Sequence, residues 1–439
     1  MADKKRRRVS LGTIVMLVLT AVVLLGCVLF LFLLVGDGFY ERTEEFIRTL
    51  SEEGLFDDSV GFELAALTTA RDLQFIPPEE TPLPATAPPA TPTPVPQKVT
   101  ITISAAGTVY APKAVRESVQ EGNRFDFEPV FAGLGDTLSD ADLAIATLET
   151  TTAGKDKGFG NYNTAPEILD ALRGVGVDLV ALATEHALDK GYDGLDLTIS
   201  ELTTRGLAYA GVSPDGKNPA RATMLRVGGV QVAVISCCYG MGSESEEKTK
   251  GDSRGVLALM DMQQLEREIT QARVNGANVV IVLPHWGTKN KTETPVNVRR
   301  QAMEMAQAGA DIIMGTHPNV AQGTERLRVT RSDGLEYETA VCYSMGSLLT
   351  DARTQENTAG MIAHVSVTFD PVTRRVMLGE MYCTPVYIAR EKRENTAVYR
   401  VVDAENAQAI ERLSQEEQQA AREAVEIIRR ATQDQEGQG

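Results

Sequence analysis

The chain has 439 residues, enough for one large domain or two ordinary ones with extensions, and a formal net charge of −17. That charge argues against a nucleic-acid-binding surface, which needs basic stripes, and against simple electrostatic capture of a polyanion. Five cysteines, with no CxxC pair and no regular spacing, read as neither a disulfide framework nor a zinc knuckle; Cys237, Cys238, Cys342 and Cys383 lie in strand-like apolar stretches and fit small buried hydrophobes.

Residues 1–8 form a basic tail that includes Lys4 to Arg8, and residues 9–36 form an uncharged run rich in Leu and Val. At about 1.5 Å per residue the run spans a hydrocarbon core of about 30 Å. The first charges beyond it are mixed and mostly acidic, so the positive-inside rule predicts a single-pass anchor in the cell membrane, with a cytoplasmic N-terminus and the main domain extracellular. The run is too long for a cleaved signal peptide. Leu24-Leu25-Gly26-Cys27 faintly resembles a lipidation box, but the apolar run continues past it. Residues 37–76 suit a helical juxtamembrane stalk, and the Pro/Thr/Ala tract of 77–97 suits an extended spacer.

A folded domain is expected over 98–390. Strands are predicted at Val99–Ala105, Leu143–Leu148, Val177–Ala183, Leu207–Ala210, Val230–Ser236, Ala277–Leu283, Ala310–Met314, Thr339–Tyr343 and Ile362–Phe369. Helices are predicted at Ala165–Val175, Leu195–Arg205, Met260–Asn275 and Arg299–Ala308. This alternation indicates an α/β domain with parallel sheet content. Residues 391–439, charged and Gln-rich, are expected as a helical tail that packs loosely or projects.

Three of the four histidines follow strongly apolar runs: Thr184-Glu185-His186, Pro284-His285-Trp286-Gly287 and Gly315-Thr316-His317-Pro318-Asn319. The C-terminal mouth of a buried strand is where α/β enzymes place metal ligands and acid–base groups, so three such placements point to one polar site. Glu149 and Glu185 also stand at strand ends, where a buried carboxylate needs a cation or donors. Structural readings stay open beside these. His186 could cap a turn shaped by Asp189 and Gly191, His285 and Trp286 could simply pack, and His317-Pro318 could be a rigid loop. His364, inside Met361–Val367, reads as a structural strand residue.

The ordered set Leu148-Glu149, Ala183…His186…Asp189…Gly191, His285-Trp286-Gly287, Gly315…His317-Pro318 and Tyr343-Ser344-Met345-Gly346 resembles the CapA family, membrane-anchored proteins of poly-γ-glutamate capsule synthesis. The likeness covers about Thr100 to Ile388. It implies a layered metallophosphatase-like sandwich, sheets flanked by helices, and a role in synthesis, export or attachment of an anionic capsule polymer, with the polymer and membrane synthase subunits as partners. The alternative it carries is a metal-dependent phosphoesterase at the cell surface. Departures from the family pattern matter. Gly107-Thr108 stands where the family has Gly-Asp, Thr184-Glu185-His186 for Asn-Asn-His, Lys289 for an acid after His-Trp-Gly, His317-Pro318-Asn319 for His-Pro-His, and Ser344-Met345-Gly346-Ser347 for Ser-Leu-Gly-Asn. The remaining ligand set is Glu149, Glu185, His285 and His317, with Asn319 as a weak extra. That set suffices for one divalent ion (Mn, Fe, Mg or Zn) and is thin for two. His186 takes the position that protonates a leaving group in metallophosphatases. Thr108, Asp189, Trp286 and Lys289 are expected to line the same pocket.

Overall fold

The structure, a computed structural model, describes residues 97–213, 220–251, 255–393 and 396–433. The basic tail, the apolar run, the stalk and nearly all of the spacer lie outside the described residues. Among the described residues no helix is long and apolar enough to cross a membrane.

In chain order the strands are β1 (Val99–Val109), β2 (Gln120–Glu121), β3 (Arg124–Phe125), β4 (Leu143–Leu148), β5 (Leu179–Ala181), β6 (Ala208–Ala210), β7 (Thr223–Val227), β8 (Val230–Cys238), β9 (Val279–His285), β10 (Ile312–Met314), β11 (Thr324–Thr330), β12 (Glu336–Cys342), β13 (Ser347–Leu349), β14 (Ala359–Asp370), β15 (Arg375–Arg393) and β16 (Thr396–Asp403). The first sheet runs β16-β15-β14-β1-β4-β5-β6, with β13 beside the end of β1, and the second runs β11-β12-β10-β9-β8-β7. Strands β1, β4, β5 and β6 are parallel, as are β8, β9, β10 and β12; the antiparallel partners lie toward the edges.

Strand periodicity explains the layering, because alternate side chains of one strand point to opposite faces. Ile101, Ile103 and Ala105 of β1 share an inter-sheet core with Val232 and Val234 of β8, Val279 and Ile281 of β9 and Ile312 of β10. The opposite face of the first sheet, through Ala106, Ala144 and Val180, packs on α1 (Glu167–Gly174) and α2 (Gly191–Thr204). The opposite face of the second, through Ile235, Val280 and Ile313, packs on α3 (Met262–Val274) and α4 (Val296–Ala308). The central strands are buried on both faces, which is why they read as unbroken apolar runs rather than alternating ones. Asp261 caps α3, its carboxylate accepting the Gln264 N–H at 2.8 Å. Gly309, at φ +120°, ends α4 and returns the chain to β10. The result is the expected layered α/β sandwich.

The expected end of the domain at 390 is overturned. β15 runs on to Arg393 and pairs with β16, and α5 (Gln415–Gln433) lays Ala421, Ala424 and Ile428 into the inter-sheet core. The Tyr387 hydroxyl donates to Glu417 and ties this helix to β15. The described residues between 97 and 433 form one compact unit. The helix reads as a loose tail because its buried stripe is narrow and made mainly of alanine, set among charges that face solvent.

Candidate functional site

The polar candidates stand at the C-terminal ends of parallel strands drawn from both sheets. Thr108 lies near the end of β1, Glu149 follows β4, and Glu185 and His186 sit in the turn after β5. His285 ends β9, and His317 follows β10. Parallel strands put all their carboxyl ends on one edge of a sheet, and the face-to-face stacking of two such sheets brings the two edges together.

Glu185 is the hub. Its Oε1 lies 2.6 Å from Lys289 Nζ and 3.1 Å from His186 Nε2, the latter off the line of a hydrogen bond. Its Oε2 lies 2.9 Å from His317 Nδ1 and 3.9 Å from His285 Nε2, and accepts the Tyr239 hydroxyl at 2.6 Å. Burial alone pushes this carboxyl up, but the close approach of His186, His317 and Lys289 outweighs it and holds the group well below the usual carboxylate range. Glu185 is therefore an anion at neutral pH.

The imidazoles differ from one another. Burial, with His317 beside it, holds the His285 ring well below its ordinary value and therefore neutral. Its Nδ1 meets Thr316 Oγ1 at 3.0 Å. A proton held on Nδ1 leaves the Nε2 lone pair facing Glu185 Oε2 and His317. His186 is also buried, but its hydrogen bond to Asp189 and the charge of Glu185 beside it outweigh desolvation and raise it to about 9. Its Nδ1 donates to Asp189 Oδ2 at 2.8 Å, Ser245 donates to the other oxygen of Asp189 at 2.6 Å, and the Tyr162 ring stacks on the imidazole. Glu149 is 2% exposed, and its Oε2 has no hydrogen-bond partner. Desolvation raises its pKa to about 7 against the pull of Lys289 and His186.

These facts bear on metal binding. Glu185, His285 and His317 offer one carboxylate and two imidazole ligand atoms within 4.8 Å of one another. A fixed anion, a neutral ring oriented by Thr316 and a second imidazole suit one divalent ion. Glu149, Glu185 and His186 also bring ligand atoms within 4.8 Å of one another. There, however, Lys289 holds the shared oxygen of Glu185 and His186 is held protonated, so that position already carries cationic charge. The residues fit one metal.

Two expected residues behave differently. Trp286 does not line the site. Its ring is fully buried in the core between the second sheet and its helices, where the indole N–H donates to the Tyr343 carbonyl at 2.9 Å. Asn319 spends its side-chain oxygen on the Thr108 hydroxyl at 3.3 Å and sits, like His317, in left-handed backbone, at φ +60° and +97°. Asp189 acts through His186, and Lys289 points inward onto Glu185. Tyr239, Tyr162 and Ser245 went unnoticed in the sequence. Of these only Tyr239, one residue past β8, stood at a strand end that could have flagged it.

The family described as "Bacterial capsule synthesis protein PGA_cap" matches residues 102–352. The chain is 25% identical over 265 residues to "Capsule biosynthesis protein CapA" of Bacillus anthracis, covering 57% of this chain and 60% of that protein. It is 27% identical over 196 residues to "PGA biosynthesis protein CapA" of Bacillus subtilis, covering 44% and 47% respectively. The chain thus spans about half to three-fifths of the length of these curated relatives. Among solved structures, the calcineurin-like phosphoesterase YfkN from Bacillus subtilis superposes at a TM-score of 0.40 and 14% identity, over 76% of this chain and all of that one. With more than half of its length matched by the family, the chain belongs to the bacterial capsule synthesis proteins.

Proposed function

We propose that this protein works in the synthesis, export or surface attachment of an anionic capsule polymer such as poly-γ-glutamate. It does so from the outer face of a membrane in which residues 9–36 anchor it. The observation that carries this reading is the convergence of Glu149, Glu185, His186, His285 and His317 at one edge in a chain of the capsule-synthesis family. The uncharged run behind a basic tail supports the anchor. Glu185, His285 and His317 would hold the metal, which supplies Lewis acidity toward a carbonyl or phosphoryl oxygen. His186, kept protonated by Asp189, presents a proton beside that position, and Lys289 supplies a positive charge that draws an anionic chain end. The protonated His186 also favours a second reading, a surface phosphoesterase with His186 as general acid.

Deletion from the host should remove cell-associated anionic polymer, and the full chain should restore it while the Glu185→Gln, His285→Ala double variant does not. Full restoration by the double variant would remove the site from the function. A reporter fused after Gln97 should be active only outside the cytoplasm.

A further inference from the structure

Away from this centre, the outer face of the first sheet is polar along β1, β14 and β15. Thr100 and Thr368 pair hydroxyls at 2.8 Å. His364 is pinned by both ring nitrogens, Nδ1 to Ser104 Oγ at 2.7 Å and Nε2 to Thr384 Oγ1 at 3.0 Å. A cavity of ≈ 370 Å³ opens on this face, lined by these three residues together with Thr102, Tyr382, Asp136 and Asp140. That volume falls within the range of about 300–1,000 Å³ usual for small-molecule sites.

Its chemistry selects a ligand class. Tyr382 is 50% exposed, and its ring lies on His364 with centroids 4.5 Å apart and 15° between planes. One aromatic face is thus fixed by the imidazole, and the other is free. Burial lowers His364 to about 4, so the ring adds no charge at neutral pH. Among the described residues no lysine or arginine lines the cavity. The carboxylates of Asp136 and Asp140 have no partner among the described residues, and would repel an anionic polymer. An aromatic plate flanked by acceptors and hydroxyls, without a cation, suits a ring with one apolar face and a rim of O–H donors.

We propose that this cavity binds a neutral saccharide, one pyranose ring resting on the free face of Tyr382 while its hydroxyls bond to Asp136, Asp140 and Thr102. The site is separate from the Glu185 centre and does not depend on the function proposed for it. The full chain is titrated calorimetrically with chitotetraose, cellotetraose and maltotetraose, and with polygalacturonate as the acidic counterpart. At least one neutral tetrasaccharide should bind with Kd about 1 mM or tighter. Tyr382→Ala should weaken it by about tenfold, Tyr382→Phe should retain it, and Asp140→Asn should weaken it, all with the fold retained by circular dichroism because these side chains lie at the surface. Failure of all three neutral sugars, equal binding by Tyr382→Ala, or tighter binding of polygalacturonate would each overturn the proposal.

Discussion

At the scale of single residues, the centre is defined by one carboxylate and the charges that compete for it. Lys289 is half-exposed and holds Glu185 Oε1 at 2.6 Å, so its ammonium opposes any cation bound beside it. Lys289→Ala should raise the affinity for a divalent ion by about tenfold, and His285→Ala should abolish it, as read by titration of the chelator-treated protein. An unchanged affinity in Lys289→Ala would mean that the lysine swings clear of the ion. Glu149 makes a separate prediction. Its carboxyl is raised from 4.5 to about 7, so folding takes up a proton between those values. Its contribution to stability is complete below about 4.5 and is lost as the pH rises through 7, on the order of 3 kcal/mol. Glu149→Gln should therefore be the more stable protein at pH 8 and near neutral at pH 4.5, by urea midpoint in the presence of chelator. Parallel pH curves for the two would contradict this. The histidines and glutamates were legible because a polar group directly after a buried apolar run has few structural excuses. Tyr239 and Tyr162 were not, since an aromatic residue there reads equally well as core, and Trp286 was misassigned because the carbonyl that satisfies its N–H lies 57 residues away in sequence.

At the scale of elements, the loop after β10 carries the most backbone strain of the centre. His317 and Asn319 both occupy the left-handed region, which costs an ordinary L-residue about 1–2 kcal/mol. Asn tolerates that region better than most residues, and here its side chain also takes the Thr108 hydroxyl. Asn319→Ala should lower stability by about 1–2 kcal/mol, and Asn319→Gly by less, as measured by chemical denaturation. Equal losses would show that the hydrogen bond, and not the backbone, dominates. Long strands and helices were readable in the sequence because each presents a full period to a core. Strands β11 and β15 were not, since they are hairpin strands that mix charged with apolar residues, and β13 was not, since its three residues pair with β1 far earlier in the chain.

At the scale of the molecule, α5 is part of the core. Ile428 is 2% exposed, and Ile428→Ala should cost about 2–4 kcal/mol in a single unfolding transition. A loss under about 0.5 kcal/mol would restore the reading of this segment as a dispensable tail. Sequence periodicity could not reveal its docking, because the surface it covers forms only once the sheets have assembled.

Glu185 belongs to the first sheet's loops, whereas Tyr239, His285, Lys289 and His317 all arrive from the second. The backbone carbonyl of Glu185 is also held by Gly242 N–H at 2.8 Å and by the Ser245 hydroxyl at 3.0 Å, from the start of the short helix after β8. The centre is in effect a gauge of how two halves are aligned. A ligand that engages both sides grips only the docked state, so its binding energy is felt by the whole domain as a higher Tm rather than as local stiffening. By the same linkage, a cavity opened far away between the sheets is read out at Glu185 as lost affinity, even where no contact of the centre has been touched.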